Sequence, residues 1–102
     1  KCFDDIFFTP ISLDYLYEIL IEIFKKNLSG IFNIGSNKSI SKYELSKEIA
    51  KRYNLDESLI IKSKYYSDKT IKVRRPKNMS LNITKICNAL KISGKSIIQM
   101  NW

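Results

Sequence analysis

The residues best equipped for chemistry are the cations of residues 69–78, KTIKVRRPKN. An arginine guanidinium is a planar fork of donors that fits two phosphate oxygens at once, and Pro76 restricts the backbone directly after Arg74 and Arg75. The stretch therefore offers a phosphate-binding loop, and it is equally what a solvated basic loop would carry. Nucleic acid is the rival ligand, because Tyr65 and Tyr66 stand nearby and aromatic rings stack on bases. No recognised nucleic-acid-binding signature accompanies them.

Other patterns point away from catalysis. Tyr43 and Lys47 have the Tyr-x-x-x-Lys spacing in which a lysine activates a catalytic tyrosine. Here the tyrosine directly follows a capping serine, where an aromatic residue anchors a helix start, so Tyr43 is read as structural. The only glycines are Gly30, Gly35 and Gly94. They cannot build a Gly-x-Gly-x-x-Gly or Gly-x-x-x-x-Gly-Lys phosphate cradle, so no cofactor is expected in this chain. Asp4-Asp5 and Asp56-Glu57 are adjacent pairs without the opposed geometry of a carboxylate acid/base pair, and read as solvated turn or edge residues. Cys2 and Cys87 are far apart and there is no histidine, so no metal site is expected and a reduced, cytoplasmic setting is favoured over a secreted one.

The net charge of +8 is unevenly placed. Residues 1–22 hold one Lys and five acids, whereas residues 23–102 hold seventeen basic and five acidic side chains. Nucleic acid, anionic lipid and phosphate-bearing ligands are all compatible with such a balance. A length of 102 residues fits a single domain with a modest core. No apolar run is long enough to span a bilayer, since even Leu13 to Phe24 is interrupted by Asp14, Glu18 and Glu22. The chain opens without an initiator methionine, inside what reads as a strand, which suggests a fragment.

The elements that must position these residues follow from periodicity. Residues 1–11 read as extended. Ser12 caps a first helix over residues 12–26, with Leu13, Leu16, Tyr17, Leu20, Ile23 and Phe24 at helical spacing. Ile19 and Ile21 widen its apolar arc, which predicts a second covered surface, a partner lobe or another copy of the chain. Ile31, Phe32 and Ile34 between Gly30 and Gly35 predict a central buried strand. Ser41 and Glu44 form a capping box that starts a second helix at Lys42, with Leu45, Ile49, Ala50 and Tyr53 inward. Leu59 to Ile61 read as a strand, residues 62–82 as a basic loop, and Ile83, Ile86, Cys87 and Leu90 as a third helix capped by Asn82 and stopped at Ser93-Gly94. The tail from Ile97 to Trp102 should pack back. The expected fold class is α/β, about three helices with short strands.

The order of these motifs resembles a known family: Asp4-Asp5 before Thr9-Pro10, a helix, Gly30 to Gly35, Ser41 to Leu45, then Arg74-Arg75-Pro76, Asn82 and Lys85. It is similar to the carboxy-terminal part of extended short-chain dehydrogenase/reductases, most closely the dTDP-4-dehydrorhamnose reductase family. That resemblance implies the substrate-binding lobe of a nucleotide-sugar reductase, with NADP or NAD held by an upstream Rossmann domain. It implies a dTDP-sugar as ligand and a possible homo-oligomer. It also implies that Arg75, supported by Arg74 and by Asn78 three residues on, contacts the nucleotide diphosphate. Departures occur at Ile6, where the reductases place glutamine, at Ile11, where they place threonine, and at Asp14, one residue out of place. A nucleotide-sugar epimerase or dehydratase lobe, and a free-standing basic nucleic-acid-binding module, are the alternative readings.

Overall fold

The computed structural model describes residues 1–67, 69–70 and 72–102. It is a small mixed α/β chain with three α-helices and five two-residue strands among the described residues. It divides into two compact units, Lys1–Phe8 with Ile40–Met79, and Thr9–Ser39 with Ser80–Trp102.

The first unit holds every strand. β1 (Cys2–Phe3) pairs in parallel with β4 (Lys62–Ser63), and β2 (Phe7–Phe8) lies between antiparallel β3 (Ile40–Ser41) and parallel β5 (Asn78–Met79). The expected strand at Leu59 to Ile61 is displaced. Asp56 instead caps a 3-10 turn over Glu57–Leu59 by accepting the Ser58 N–H, and pairing begins at Lys62. The hydrogen bonds from Ser58 also hold the Asp56 carboxyl below its usual range. Strand pairing likewise enters the expected loop of residues 62–82, at β4 and β5.

Helix α2 (Lys42–Arg52) begins where its cap predicts: Ser41 Oγ accepts the Glu44 N–H at 3.1 Å. It ends with Asn54 in the left-handed region (φ 53°) and Leu55 N–H bonded to Ala50 C=O, a Schellman closure. Ala50 is buried and Leu45 and Ile49 are half-buried, whereas Tyr53 is exposed, so the inward stripe stops one turn earlier than expected. Ile6, Ile40 and Tyr65 are the other buried apolar side chains of this unit.

The second unit is helical. α1 (Leu13–Lys25) is capped by Ser12, whose hydroxyl accepts the Tyr15 N–H and whose own N–H donates to Met100 Sδ at 3.4 Å. Its end is a Schellman motif through Asn27 (φ 52°). The buried face is Tyr15 and Ile19; Leu13, Tyr17, Leu20 and Phe24 of the expected stripe are exposed. Helices permit this because consecutive i, i+4 rows lie side by side, and a wide arc leaves the choice of buried row to packing.

α3 (Thr84–Leu90) departs from expectation at both ends. Ile83 occupies the cap position, and Asn82 Oδ1 serves one residue earlier by accepting the Thr84 N–H. The stop is Lys91 in the left-handed region (φ 56°, ψ 48°), with Ile92 N–H on Cys87 C=O, before Ser93-Gly94 is reached. The tail packs back: Ile97 and Met100 are buried and Trp102 Nε1 donates to Ile97 C=O.

The expected central strand at residues 31–34 does not form among the described residues. The segment carries no ladder, and Ile31 is 86% exposed. A strand needs a neighbouring row of donors and acceptors, and β-branched composition cannot supply one. Lys85 substitutes in part: its ammonium donates to Ile31 C=O at 2.8 Å and lies 4.7 Å from the Phe32 ring centroid. Gly35 is needed for space, since a Cβ there would fall 2.8 Å from Thr9 Oγ1 and 3.2 Å from Thr9 C=O.

Candidate functional site

The arginine segment belongs to the first unit. Arg74 and Arg75 are exposed on the stretch leading into β5, and Asn78 is the first residue of β5, in register with Phe7. All three expected residues thus lie within five consecutive positions, 74–78, where Lys77 C=O accepts the Phe7 N–H and fixes the downstream end. Ile71, within the basic stretch, lies outside the described residues.

Two tyrosines hold the upstream end. Tyr65 Oη donates to Val73 C=O, and Tyr66 Oη donates to Arg75 C=O at 2.7 Å. The Lys77 ammonium lies 4.7 Å from the Tyr66 ring centroid. Neither guanidinium has an ion-pair or hydrogen-bond partner among the described residues, whereas the backbone around them is tied at three carbonyls. Such an arrangement holds its main chain still and leaves the cationic forks available to a ligand.

This geometry removes a support from the nucleic-acid reading. Tyr65 is 5% exposed, its ring edge-on to Phe3 at 5.5 Å and to Tyr66 at 4.9 Å, so it has no face for a base. Tyr65 gives its hydroxyl to the loop instead, while Tyr66 does so with 42% of its surface still exposed.

The acids at the start of the chain, expected as solvated turn or edge residues, do follow β1 in a bend but are held by partners rather than by water. Asp5 accepts the N–H groups of Tyr65 and Tyr66, at 2.8 and 3.3 Å. Asp4 is ion-paired to Lys64 at 2.9 Å and Lys62 at 3.5 Å, with its side chain 11% exposed. The Lys64 hydrogen bond, with the charges of both lysines, outweighs burial and holds the Asp4 carboxyl below its ordinary value. Sequence reasoning missed these roles because the partners lie some sixty residues downstream. The available signal was the parallel excess of lysines and aromatics at residues 62–66.

Tyr43 meets the lysine of its spacing over the ring. The Lys47 and Lys62 ammonium groups lie 5.7 and 5.4 Å from its ring centroid, a cation–π arrangement on the half-buried start of α2.

The glycines do not make a dinucleotide cradle. Gly30 (φ 108°) follows α1, Gly35 packs on Thr9, and Gly94 (φ 79°) follows α3, so none opens a helix whose amides could face a pyrophosphate. The residues of this chain do not fit NADP or NAD by that route. Among the described residues, no three Cys, Asp or Glu side chains gather as metal ligands, and both cysteines are free thiols.

The second unit has a concavity of its own, about 420 Å³, between the α1 face bearing Tyr15, Glu18 and Glu22 and the segment bearing Lys91 and Lys95. Burial, then Cys87 and Glu18, raise the Tyr15 hydroxyl above its usual range. No helix among the described residues is long and apolar enough to cross a membrane. No protein-family model, curated protein or solved structure gives a significant match to the chain.

Proposed function

We propose that this chain is the substrate-binding lobe of a cytoplasmic, NAD(P)-dependent nucleotide-sugar reductase similar to the dTDP-4-dehydrorhamnose reductase family. Arg75, with Arg74 and Asn78, takes the diphosphate of a dTDP-sugar. The observation that carries this reading is a backbone anchored on both sides of two arginines whose guanidinium groups are left for a ligand. A backbone already tied down spends less ordering entropy when two phosphate oxygens dock on the side chains it carries. Hydride chemistry belongs to a cofactor-holding Rossmann domain outside this chain, because the glycines here do not build a phosphate cradle. This lobe's own work is to bind and orient the sugar nucleotide.

Calorimetric titration of dTDP into the purified chain tests the reading. Arg75→Lys keeps the charge and loses the fork, so binding should weaken; Arg75→Ala should cost more, about 1.5–3 kcal/mol for a charged hydrogen bond. Nonspecific polyanion binding predicts that Lys69, Lys72 and Lys77 matter as much as Arg75, with a steep salt dependence. Equal small effects at all four positions would remove Arg75 from the site.

A further inference from the structure

We infer that Asp5 is the positioning residue of the arginine segment, acting on it through Tyr65 and Tyr66; the inference rests on reading that segment as the diphosphate site. Each oxygen of the Asp5 carboxylate accepts one backbone N–H, from Tyr65 at 2.8 Å and from Tyr66 at 3.3 Å. A carboxylate bridging two consecutive amides fixes both residues at once, since charged acceptors make the stronger hydrogen bonds. The side chains of those same two residues then reach forward. Their hydroxyls donate to Val73 and Arg75, the carbonyls on either side of Arg74.

The two adjacent tyrosine hydroxyls supply these carbonyls with the donors that a neighbouring strand would otherwise provide. The relay therefore runs from one carboxylate, through two amides and two hydroxyls, to the main chain that carries both guanidinium groups. Packing keeps it in register. Tyr65 is wedged edge-on against Phe3, two residues before Asp5, and against Tyr66, while Lys77 covers the Tyr66 ring. Asp4 serves a separate purpose, because its ion pairs go to the side chains of Lys62 and Lys64 and not to the tyrosine amides.

The consequence for binding is quantitative. A segment that is ordered only part of the time binds more weakly in proportion to its competent fraction, so loosening the relay should raise the dissociation constant without touching a guanidinium. Asp5→Asn leaves one good acceptor for two amides. It should weaken dTDP binding about tenfold and speed hydrogen exchange at the Tyr65 and Tyr66 amides. Tyr66→Phe frees only the Arg75 carbonyl and should weaken binding about threefold to tenfold, with those two amides still protected. Because both act along one relay, the double variant should bind little worse than Asp5→Asn alone. Asp4→Asn serves as the control and should leave dTDP affinity unchanged.

Unchanged affinity in Asp5→Asn, with Arg75→Lys weakened, would overturn the positioning role while leaving the diphosphate reading intact. Unchanged affinity in Arg75→Lys would remove the diphosphate reading and this inference with it. If Asp5→Asn fails to fold, Tyr66→Phe decides, and an affinity equal to that of the unaltered chain overturns the inference.

Discussion

The two units of this chain reach order by different means. The unit of Lys1–Phe8 and Ile40–Met79 has the five strands found among the described residues, each only two residues long, and relies on side chains reaching backbone: Asp5 to two amides, Tyr65 and Tyr66 to two carbonyls. The unit of Thr9–Ser39 and Ser80–Trp102 has no strand among its described residues. It has two helices closed by Schellman motifs, with Tyr15, Ile19, Ile86, Leu90, Ile97 and Met100 buried. Polar, directional contacts fix individual groups in place but yield little net stability each, whereas apolar burial yields more stability and less positional specificity. The arginine segment lies in the unit built on directional contacts.

The helical unit should suffer most from loss of one apolar side chain. Leu90 is 4% exposed, so Leu90→Ala should destabilise it by about 2–5 kcal/mol through lost transfer energy and a cavity. Urea unfolding followed by circular dichroism measures this, and a loss below about 1 kcal/mol would contradict an apolar basis for that unit.

A smaller effect tests close packing of backbone in the same unit. Gly35→Ala places a methyl 2.8 Å from Thr9 Oγ1 and against its carbonyl, which should cost about 1–3 kcal/mol. A paired Thr9→Ala substitution removes the hydroxyl and should recover part of that loss in the same unfolding assay.

The smallest effect sharpens the contrast from the strand-bearing side. Asp4 has its carboxyl held below the ordinary 3.8 first by the Lys64 hydrogen bond and then by the charges of Lys64 and Lys62. A carboxyl depressed in the folded state contributes stability above its unfolded value, and that contribution is lost as pH falls through the folded value. Stability from this group is therefore present above about pH 3.8 and disappears below it. Asp4→Asn should be less stable than the unaltered chain near neutral pH, and the two unfolding curves should converge in acid. Curves that stay parallel to pH 2 would mean the ion pairs contribute nothing measurable.

Much of the local structure was legible in the sequence because it depends on neighbours in the chain. Ser12 and Ser41 set the starts of α1 and α2 through hydroxyls that cap amides three residues on. Even at this scale one signal misled: Lys91 takes the left-handed turn that Gly94 advertised, at about 1–2 kcal/mol of backbone strain offset by closing the helix.

What only the tertiary structure decided are the questions that need a distant partner. Ile31, Phe32 and Ile34 have strand composition, yet without a ladder among the described residues they stay unpaired; Leu13, Tyr17, Leu20 and Phe24 have core spacing, yet Tyr15 and Ile19 are the row that packing buries. Asp5 carries no local mark of its role, because the amides it holds lie sixty residues away. Propensity and capping act over a few residues and are written where they act. Ladder pairing, the choice of buried face and a carboxylate's partners are set by which segments the folded chain brings together.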